Sequence, residues 1–214
     1  KLARDAKALA TLLSDKLGVE VRYAPSNDYT ACVNGLTANK LDFVWLGGKT
    51  TCDAIDAGEG AVHVLAALDI DLHFKSYLIG NQKAIAAGKL AATTDLSTWR
   101  GSTADLRFTF GDVNSTSGHL MPRHFLSQAG IDPDNDFKSA AGYAQGGHSG
   151  TLKSVAAGSV DLGALNFAYY DKAPAAEKAK APILFTTPDY VDFPSGGHDR
   201  VGAQRIAQLK RALL

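Results

Sequence analysis

Short apolar segments of strand length alternate with helical segments along most of this chain, and this alternation constrains the fold more than any other feature. Leucines at helical spacing over residues 1–17 end at Gly18, and Val19–Tyr23 then alternates as a strand does. Further strands are predicted at residues 41–46, 62–68, 75–80, 106–110, 160–165 and 183–187. Because parallel strands need helical crossovers, the pattern predicts an α/β fold with helices on both faces of a parallel sheet.

The pattern changes near residues 69–74 and again near residues 183–187. These changes predict two lobes, the first formed by residues 1–72 and 186–214 and the second by residues 73–185. Two α/β lobes joined by two crossings of the chain are typical of a hinged cleft that closes on a ligand. The glycine-rich segment Ser195–His198 is predicted to be a flexible surface turn.

The charge balance excludes several kinds of partner. The 214 residues include 22 Lys and Arg and 22 Asp and Glu, so the formal net charge is zero. A neutral chain argues against nucleic acid or an acidic membrane surface as the partner. The two cysteines, Cys32 and Cys52, allow one disulfide without requiring it. The histidines lack the spacing of a metal site, so neither a metal nor another cofactor is predicted.

The strongest functional signal is a run of hydroxyls that follows the predicted strand at residues 106–110. Ser115, Thr116 and Ser117 are consecutive, and Gly118 lets the backbone approach a ligand closely. Helix starts expose unpaired N–H groups and the positive end of the helix dipole. Hydroxyls at such a start can bind an anion without a formal positive charge. The alternative is ordinary N-capping by a single serine.

The helix after this run is predicted to start irregularly. Pro122 favours a regular helix that begins near Met121, with an irregular turn that carries the hydroxyls. His119 lies within that turn, where it either reaches the anion or points to solvent.

Ligands of open α/β sheets bind beyond the C-terminal ends of the strands, and four polar loops of this chain follow predicted strands or precede helices. The hydroxyl run is one of them. The others carry Thr50, Thr51 and Cys52 after Gly47 and Gly48, His148 in a glycine-rich loop, and Asn166 at a strand end. All four loops are predicted to converge on one cleft.

Four segments, Leu41–Gly47, Phe108–Pro122, Gly146–Ser149 and Gly158–Asn166, together resemble a known family. In this order they are similar to the periplasmic substrate-binding proteins of phosphonate, phosphite and phosphate ABC transporters, the PhnD-like family. The resemblance implies a two-lobed periplasmic binding protein with a type II-like fold. It also implies that the chain captures a small tetrahedral oxyanion, such as phosphite, phosphate, a phosphonate or selenate, for import.

The resemblance carries residue roles and partners as well. It implies that the oxyanion is held by Ser115, Thr116, Ser117 and His148. It further implies export to the periplasm, or to the cell surface as a lipoprotein, and a membrane permease as the partner.

The sequence departs from the family's pattern in three places. The family's fold needs a central strand before the first helix, and that strand is expected to be missing from this sequence. An aromatic-basic-serine segment that often opens with tyrosine has Phe74 here, so a tyrosine hydroxyl is missing unless Tyr77 replaces it. Aminophosphonate binders place acidic residues where this chain has Asn166–Tyr170, which favours a small inorganic oxyanion over an aminophosphonate.

Cys52 supports an alternative function. It lies in the first turn of a predicted helix, where the helix dipole favours the thiolate. Some relatives of the family resemble arsenic-oxyanion sensors that act with a membrane histidine kinase, and Cys52 would supply such a sensor with a sulfur ligand. A small buried core residue is the commonest fate of a free cysteine.

An enzyme is the less favoured hypothesis. Ser115, His148 and Asp161 include the residue types of a hydrolytic triad. However, the chain lacks a G-x-S-x-G nucleophile elbow, and Asp161 lies inside a strand pattern instead of at its end. Three adjacent hydroxyls suit several anion oxygens better than one activated nucleophile. The sequence therefore predicts a binding protein.

Overall fold

A computed structural model describes residues 2–26, 28–143 and 146–214. The α-helices are α1 (Leu2–Leu17), α2 (Tyr29–Thr37), α3 (Gly48–Ala57), α4 (Asp69–Leu72), α5 (Gln82–Ala86), α6 (Met121–Gln128), α7 (Gly147–Ala157), α8 (Phe167–Lys172), α9 (Ala175–Lys178) and α10 (Ala203–Leu213). The strands are β1 (Phe43–Trp45), β2 (Val62–Ala66), β3 (Ser76–Gly80), β4 (Arg107–Phe110), β5 (Ser139–Tyr143), β6 (Leu162–Asn166), β7 (Ile183–Thr186) and β8 (Ser195–His198). Within the described ranges, none of the helices has an apolar stretch long enough to cross a membrane.

The chain divides into two compact units. Unit 1 comprises Lys1–Asp71 and Val191–Leu214, and unit 2 comprises Leu72–Tyr190. The sequence placed the second lobe boundary at residue 185, whereas the unit changes after Tyr190. The difference arises because β7 pairs with β3 and Tyr190 bridges to Phe74, so both belong to the sheet of unit 2.

The sheet of unit 1 is antiparallel, with strand order β1-β8-β2. β8 lies in the middle and runs antiparallel to both neighbours, with Gly196 opposite Val44 on one side and Val64 on the other. The predicted parallel sheet is therefore wrong for this unit. β1 and β2 do run in the same direction, but a strand from the far end of the chain separates them.

The prediction that Ser195–His198 forms a flexible surface turn is also wrong. Ser195, Gly196 and Gly197 are buried in this central strand. A Cβ atom on Gly197 would lie 3.0 Å from Leu65 Cδ1 and 3.1 Å from Ile206 Cδ1. Gly197 is therefore needed because β2 and α10 pack closely against the strand, and the two glycines do not signal a mobile loop.

Val19–Tyr23, predicted as a strand, has no regular secondary structure and pairs with none of the strands that the structure describes. The Ser14 side chain holds it instead: Val21 N–H donates to Ser14 Oγ over 2.8 Å. Alternation of apolar residues favours an extended backbone, but only a partner strand with open hydrogen-bonding groups makes that backbone part of a sheet.

Unit 2 contains a five-stranded mixed sheet with strand order β5-β4-β6-β3-β7. β4 is parallel to β5 and β6, whereas β3 is antiparallel to β6 and β7. The predicted strands at residues 75–80, 106–110, 160–165 and 183–187 are confirmed within two residues at each end. β5 was not predicted, because its sequence, Ser-Ala-Ala-Gly-Tyr, has little apolar alternation.

Both faces of this sheet are covered by apolar side chains. On β3, Leu78 belongs to one buried cluster and Ile79 to another, and on β6 Ala164 and Leu165 divide in the same way. Adjacent residues of a strand point to opposite faces, so the sheet lies between two layers of core. This double burial fixes the strand register and hence the positions of the loops that leave β4 and β6.

Candidate functional site

The hydroxyl run follows β4 and leads into a turn of π-helix, which is wider than a turn of α-helix. Residues Thr116–Leu120 form a π-helical turn that leads into α6 at Met121. The predicted irregular start and the position of the regular helix are thus confirmed. Ser115 is the N-cap, and its Oγ accepts a hydrogen bond from Gly118 N–H over 3.0 Å. π-helical turns are rare and frequently mark functional sites.

Two glycines allow this turn to fold back on the end of β4. Gly111 N–H donates to the Gly118 carbonyl oxygen over 2.6 Å, and a Cβ on Gly111 would lie only 2.9 Å from Gly118 Cα. A side chain at either position would force these backbones apart. The close approach buries Ser115, Thr116 and Ser117, of which Ser117 is only 1% exposed. Three hydroxyls are thereby collected at a helix start beneath the surface.

His148 lies against this turn from a second helix start. It occupies the first turn of α7, after Gly146, whose φ of 92° is strained for other residues. A Cβ on Gly118 would lie 3.3 Å from His148 Cε1, so the ring covers the glycine of the hydroxyl run. The N-terminal turns of two helices, each with a positive dipole end, therefore meet at one place.

The proton on His148 can be placed from its partner. Asn166 N–H donates to His148 Nδ1 over 3.4 Å, so Nδ1 carries a lone pair and the neutral ring carries its proton on Nε2. Burial lowers the pKa of His148 from 6.5 to about 4, because the charged ring would lose its hydration. At neutral pH the ring is thus an uncharged N–H donor.

Asn166 supports the site through its backbone. It ends β6, and its Oδ1 accepts a hydrogen bond from Tyr169 N–H over 2.7 Å, which caps α8. The side chain thus caps the start of α8, while the backbone N–H orients His148. The sequence prediction placed Asn166 correctly at a strand end.

Ser76 contacts the hydroxyl run and Tyr190 contacts Ser76, and neither was among the predicted site residues. Ser76 Oγ lies 2.7 Å from the Ser117 carbonyl oxygen and 2.6 Å from Tyr190 Oη. A carbonyl can only accept, so the single Ser76 proton is donated to Ser117 and Tyr190 must donate to Ser76. The alternation of β3 could have indicated Ser76, because its neighbour Tyr77 must point to the other face.

The structure does not bring Tyr77 to the hydroxyl run. Its ring packs edge-on against Tyr170, with 5.5 Å between the ring centroids, in the apolar cluster on the opposite face of the sheet. Burial raises the pKa of the Tyr77 phenol. The hydroxyl that Phe74 lacks is instead present nearby in Tyr190, whose ring lies 6.1 Å from that of Phe74.

The predicted site residues of unit 1 lie at the start of α3, and their hydrogen bonds are internal. The hydroxyls of Thr50 and Thr51 both donate to the Gly47 carbonyl oxygen over 3.0 Å. Gly48 N–H donates to the buried carboxylate of Asp192 over 2.6 Å. A carboxylate of the protein itself therefore occupies this helix start.

Both cysteines are free, which contradicts a disulfide between them. Cys52 is exposed, so it is not the buried core residue that is common for free cysteines. Cys32 is half-buried beside the apolar cluster of unit 1.

The residue types of a hydrolytic triad are present but are not linked. Asp161 forms an ion pair with Arg107, with 3.0 Å between Arg107 Nε and Asp161 Oδ2, and also accepts from Arg107 N–H. His148 Nδ1, the atom that a triad carboxylate would contact, instead accepts from the backbone of Asn166.

The fold and this arrangement of hydroxyls at a helix start are those expected of a periplasmic substrate-binding protein. Residues 1–214 match the family described as ABC transporter, phosphonate, periplasmic substrate-binding protein. The chain belongs to this family, as the sequence motifs predicted.

Two relatives show how much of such a protein the chain spans. It is 36% identical over 184 residues to a probable ABC transporter phosphite binding protein, PhnD1, of Prochlorococcus marinus strain MIT 9301. The matched region covers 85% of this chain and 60% of the relative. It is 31% identical over 161 residues to the phosphonates-binding periplasmic protein of Escherichia coli strain K12. This matched region covers 75% of this chain and 45% of the relative. The chain thus corresponds to about half of the length of these relatives.

Solved structures agree with this assignment. The structure of PhnD1 from Prochlorococcus marinus in complex with methylphosphonate matches with a TM-score of 0.83 and 33% identity, over 99% of this chain and 78% of that one. A binding protein component of an ABC phosphonate transporter from Pseudomonas aeruginosa matches with a TM-score of 0.70 and 20% identity, over 97% of this chain and 68% of that one. The second match supports the fold alone.

Proposed function

We propose that this chain binds a small tetrahedral phosphorus oxyanion, phosphite or methylphosphonate, outside the cytoplasm and presents it to the permease of an ABC transporter. The observation that carries the proposal is the contact of His148 with the buried hydroxyl run at Gly118. Ser115–Ser117 and His148 then act as neutral donors around the anion oxygens. Hydrogen bonds to a charged acceptor are stronger than neutral ones, particularly in a desolvated site.

The surroundings of β6 favour a ligand without an ammonium group. Phe167, the first residue of α8, packs edge-on against Phe74 with 5.0 Å between ring centroids. Lys75 Nζ lies 5.9 Å above the Phe167 ring. Because Lys75 already lies over the face of this ring, its charge would repel the ammonium of an aminophosphonate there. We therefore expect 2-aminoethylphosphonate to bind more weakly than methylphosphonate.

Calorimetry with a ligand panel tests the proposal. Phosphite, methylphosphonate, phosphate, selenate, 2-aminoethylphosphonate and arsenite are titrated into the wild-type protein. We expect phosphite and methylphosphonate to bind most tightly. Tight binding of arsenite alone would instead support the sensor alternative, and binding of none of the six would contradict the proposal.

Variants of His148 locate the binding to this site. His148→Ala should weaken binding by about 1.5–3 kcal/mol, the range for a hydrogen bond to a charged group, and His148→Gln should restore part of it through its amide N–H. His124→Ala, on the exposed side of α6, is the control. If His148→Ala mainly lowers the melting temperature and leaves affinity unchanged, His148 is a structural residue.

A further inference from the structure

His119, within the π-helical turn, points neither to the hydroxyl run nor into solvent. Its Nδ1 lies 3.1 Å from the Val113 carbonyl oxygen, and Arg123 Nε donates to its Nε2 over 2.9 Å. A carbonyl can only accept and a guanidinium can only donate. The ring is therefore neutral, with the proton on Nδ1 donated to Val113 and the lone pair on Nε2 facing Arg123.

Arg123 is itself held in place from two sides. Its Nη1 and Nη2 form a bidentate pair with Asp134, over 2.9 and 2.5 Å. Its guanidinium lies 5.0 Å from the centroid of the Phe110 ring, and the His119 ring lies 5.2 Å from the same centroid. The hydrogen bond with Asp134 raises the pKa of Arg123. A planar fork fixed by a carboxylate and an aromatic ring has little freedom to turn away from His119.

The segment that His119 holds is the loop between β4 and the hydroxyl run. Within this loop, Asn114 N–H donates to Asp112 Oδ1 and Ser115 N–H donates to the Asp112 carbonyl oxygen, each over 2.8 Å. These bonds close a local turn, but they do not connect it to α6. Val113 is 46% exposed, so packing contributes little to fixing its carbonyl group. The side chain of His119 adds a direct bond between Val113, in this local turn, and the π-helical turn.

We propose that His119 is a positioning residue for the oxyanion site. Its Nδ1–H ties the Val113 carbonyl to the π-helical turn and thereby sets where Ser115 begins that turn. Arg123 serves only to keep the proton on Nδ1, because it donates to Nε2, and an amide N–H at the Nδ1 position needs no such selection. The position of Ser115 affects the whole π-helical turn, because its carbonyl accepts from both His119 N–H and Leu120 N–H, over 3.2 and 3.1 Å. A shift of Ser115 would therefore move the whole run of hydroxyls. This inference rests on the proposed function in taking the run as the binding site.

Two conservative variants separate the two hydrogen bonds of the ring. The amide nitrogen of His119→Asn lies near the Nδ1 position and can still donate to Val113, but it leaves Arg123 without an acceptor. His119→Gln reaches the Nε2 position, where its oxygen can accept from Arg123, but it loses the bond to Val113. A merely structural role would make the two variants about equally harmful, whereas positioning depends on the Val113 bond alone.

The first measurement is methylphosphonate affinity. His119→Ala and His119→Gln should weaken it by about tenfold, which corresponds to one hydrogen bond, and His119→Asn by less than about threefold. His124→Ala, at an exposed position of α6, should match wild type. If His119→Asn is as weak as His119→Ala, or if all three variants bind as wild type does, the positioning role is wrong.

The second measurement needs no ligand. Amide hydrogen exchange over residues 112–118 of the ligand-free protein should be faster in His119→Ala and His119→Gln than in wild type and His119→Asn. If wild type binds no oxyanion but this contrast is present, the proposed function fails while His119 still positions the loop. Equal exchange in all four proteins would overturn the inference even if methylphosphonate binds tightly.

Discussion

Each unit of this molecule contains a helix start that is rich in hydroxyls, and the two are satisfied in opposite ways. At α3 in unit 1, Thr50 and Thr51 donate to Gly47, and the Asp192 carboxylate accepts from Gly48 N–H. At the π-helical turn in unit 2, the contacting groups are neutral: the Ser76 hydroxyl, and a histidine whose pKa is lowered by burial. The helix start in unit 1 already contacts an anionic group of the protein, whereas the one in unit 2 has only neutral groups beside it, as the proposed oxyanion site requires.

The comparison teaches that hydroxyls near a helix start do not by themselves identify an anion site. In both segments, Gly47–Thr51 and Ser115–Gly118, the sequence has glycine within two residues of consecutive hydroxyl residues. The two segments differ in the residue from a distant part of the sequence that contacts the helix start. This residue is Asp192 at α3 and His148 at the π-helical turn. A carboxylate neutralises the dipole end, whereas a neutral N–H donor adds to it.

The largest effect should come from filling the contact between the two helix starts of unit 2. Gly118→Ala would place a Cβ 3.0 Å from Gly111 Cα and 3.3 Å from His148 Cε1. Separating these groups should weaken methylphosphonate binding by about 3 kcal/mol, or roughly 100-fold. Calorimetry measures the loss.

Gly196→Ala in unit 1 is the matched control. Its Cβ would meet Val44 Cγ2 at 3.5 Å, which is ordinary contact. Affinity should therefore be unchanged in this variant. Similar losses of affinity in Gly118→Ala and Gly196→Ala would show that crowding at any glycine, and not the contact with His148, controls binding.

The second prediction compares one hydroxyl from each helix start. Thr116→Val removes a hydroxyl without changing the shape of the side chain, and it should weaken oxyanion binding by about 1.5–3 kcal/mol. Thr50→Val should instead lower the free energy of unfolding by about 1 kcal/mol and leave affinity unchanged, because its hydroxyl is bonded to Gly47. Calorimetry and urea unfolding of both variants provide the two measurements.

Thr116→Ser and Thr50→Ser keep the hydroxyls and serve as controls. If Thr50→Val weakened binding as much as Thr116→Val, the two helix starts would act alike and the comparison would fail.

The third prediction concerns acid. The pKa of His148 is near 6.5 in the unfolded chain and about 4 in the folded protein, so the unfolded chain binds more protons between these pH values. Stability contributed by neutral His148 is therefore present above about pH 6.5 and is lost as the pH falls towards 4. One pKa unit corresponds to about 1.4 kcal/mol, and the fall from pH 6.5 to 4.5 spans about two units, so the loss between pH 7 and 4.5 is on the order of 2–3 kcal/mol.

Urea unfolding at pH 7 and at pH 4.5 measures this loss. His148→Asn cannot titrate, so its stability should fall less over the same interval than that of wild type. His124→Asn, at an exposed position, should follow the wild-type curve. A wild-type curve that coincides with that of His148→Asn would show that His148 is not buried in its neutral form.

Much of unit 2 could be predicted from the sequence, because its strands are buried on both faces and form continuous apolar segments. The hydroxyl run and its irregular start were predicted from local signals, Ser115 as a cap and Pro122 near the helix start. Unit 1 was predicted less well. Gly196 and Gly197 were assigned to a turn because glycine signals flexibility in isolation, and only the contacts with β2 and α10 show that Gly197 permits close packing.

The site residues that the sequence missed depend on tertiary contacts. Ser76 and Tyr190 are 114 residues apart, and nothing local indicates that their hydroxyls meet. Tyr77 was predicted as a site residue because a tyrosine was expected near that position. The alternation of side chains along β3 instead places it on the opposite face of the sheet. The contact of Asp192 with the start of α3 could not be predicted either, because Asp192 lies 144 residues from Gly48 in the sequence.

The smallest effect is expected at Cys52, and it tests whether α3 takes part in ligand capture at all. The Cys52 thiol is free and exposed, and the start of its helix already contacts Asp192. Cys52→Ser should therefore change phosphite and methylphosphonate affinity by less than about twofold, well below the effect of one hydrogen bond. Arsenite provides the opposing case, because a soft centre binds sulfur and accepts a hydroxyl poorly in its place. A single cysteine supplies only one such contact, so we expect weak arsenite binding in wild type and little change in the variant. Tight arsenite binding that Cys52→Ser abolishes would make unit 1 the ligand-recognising unit and reverse the comparison between the two helix starts.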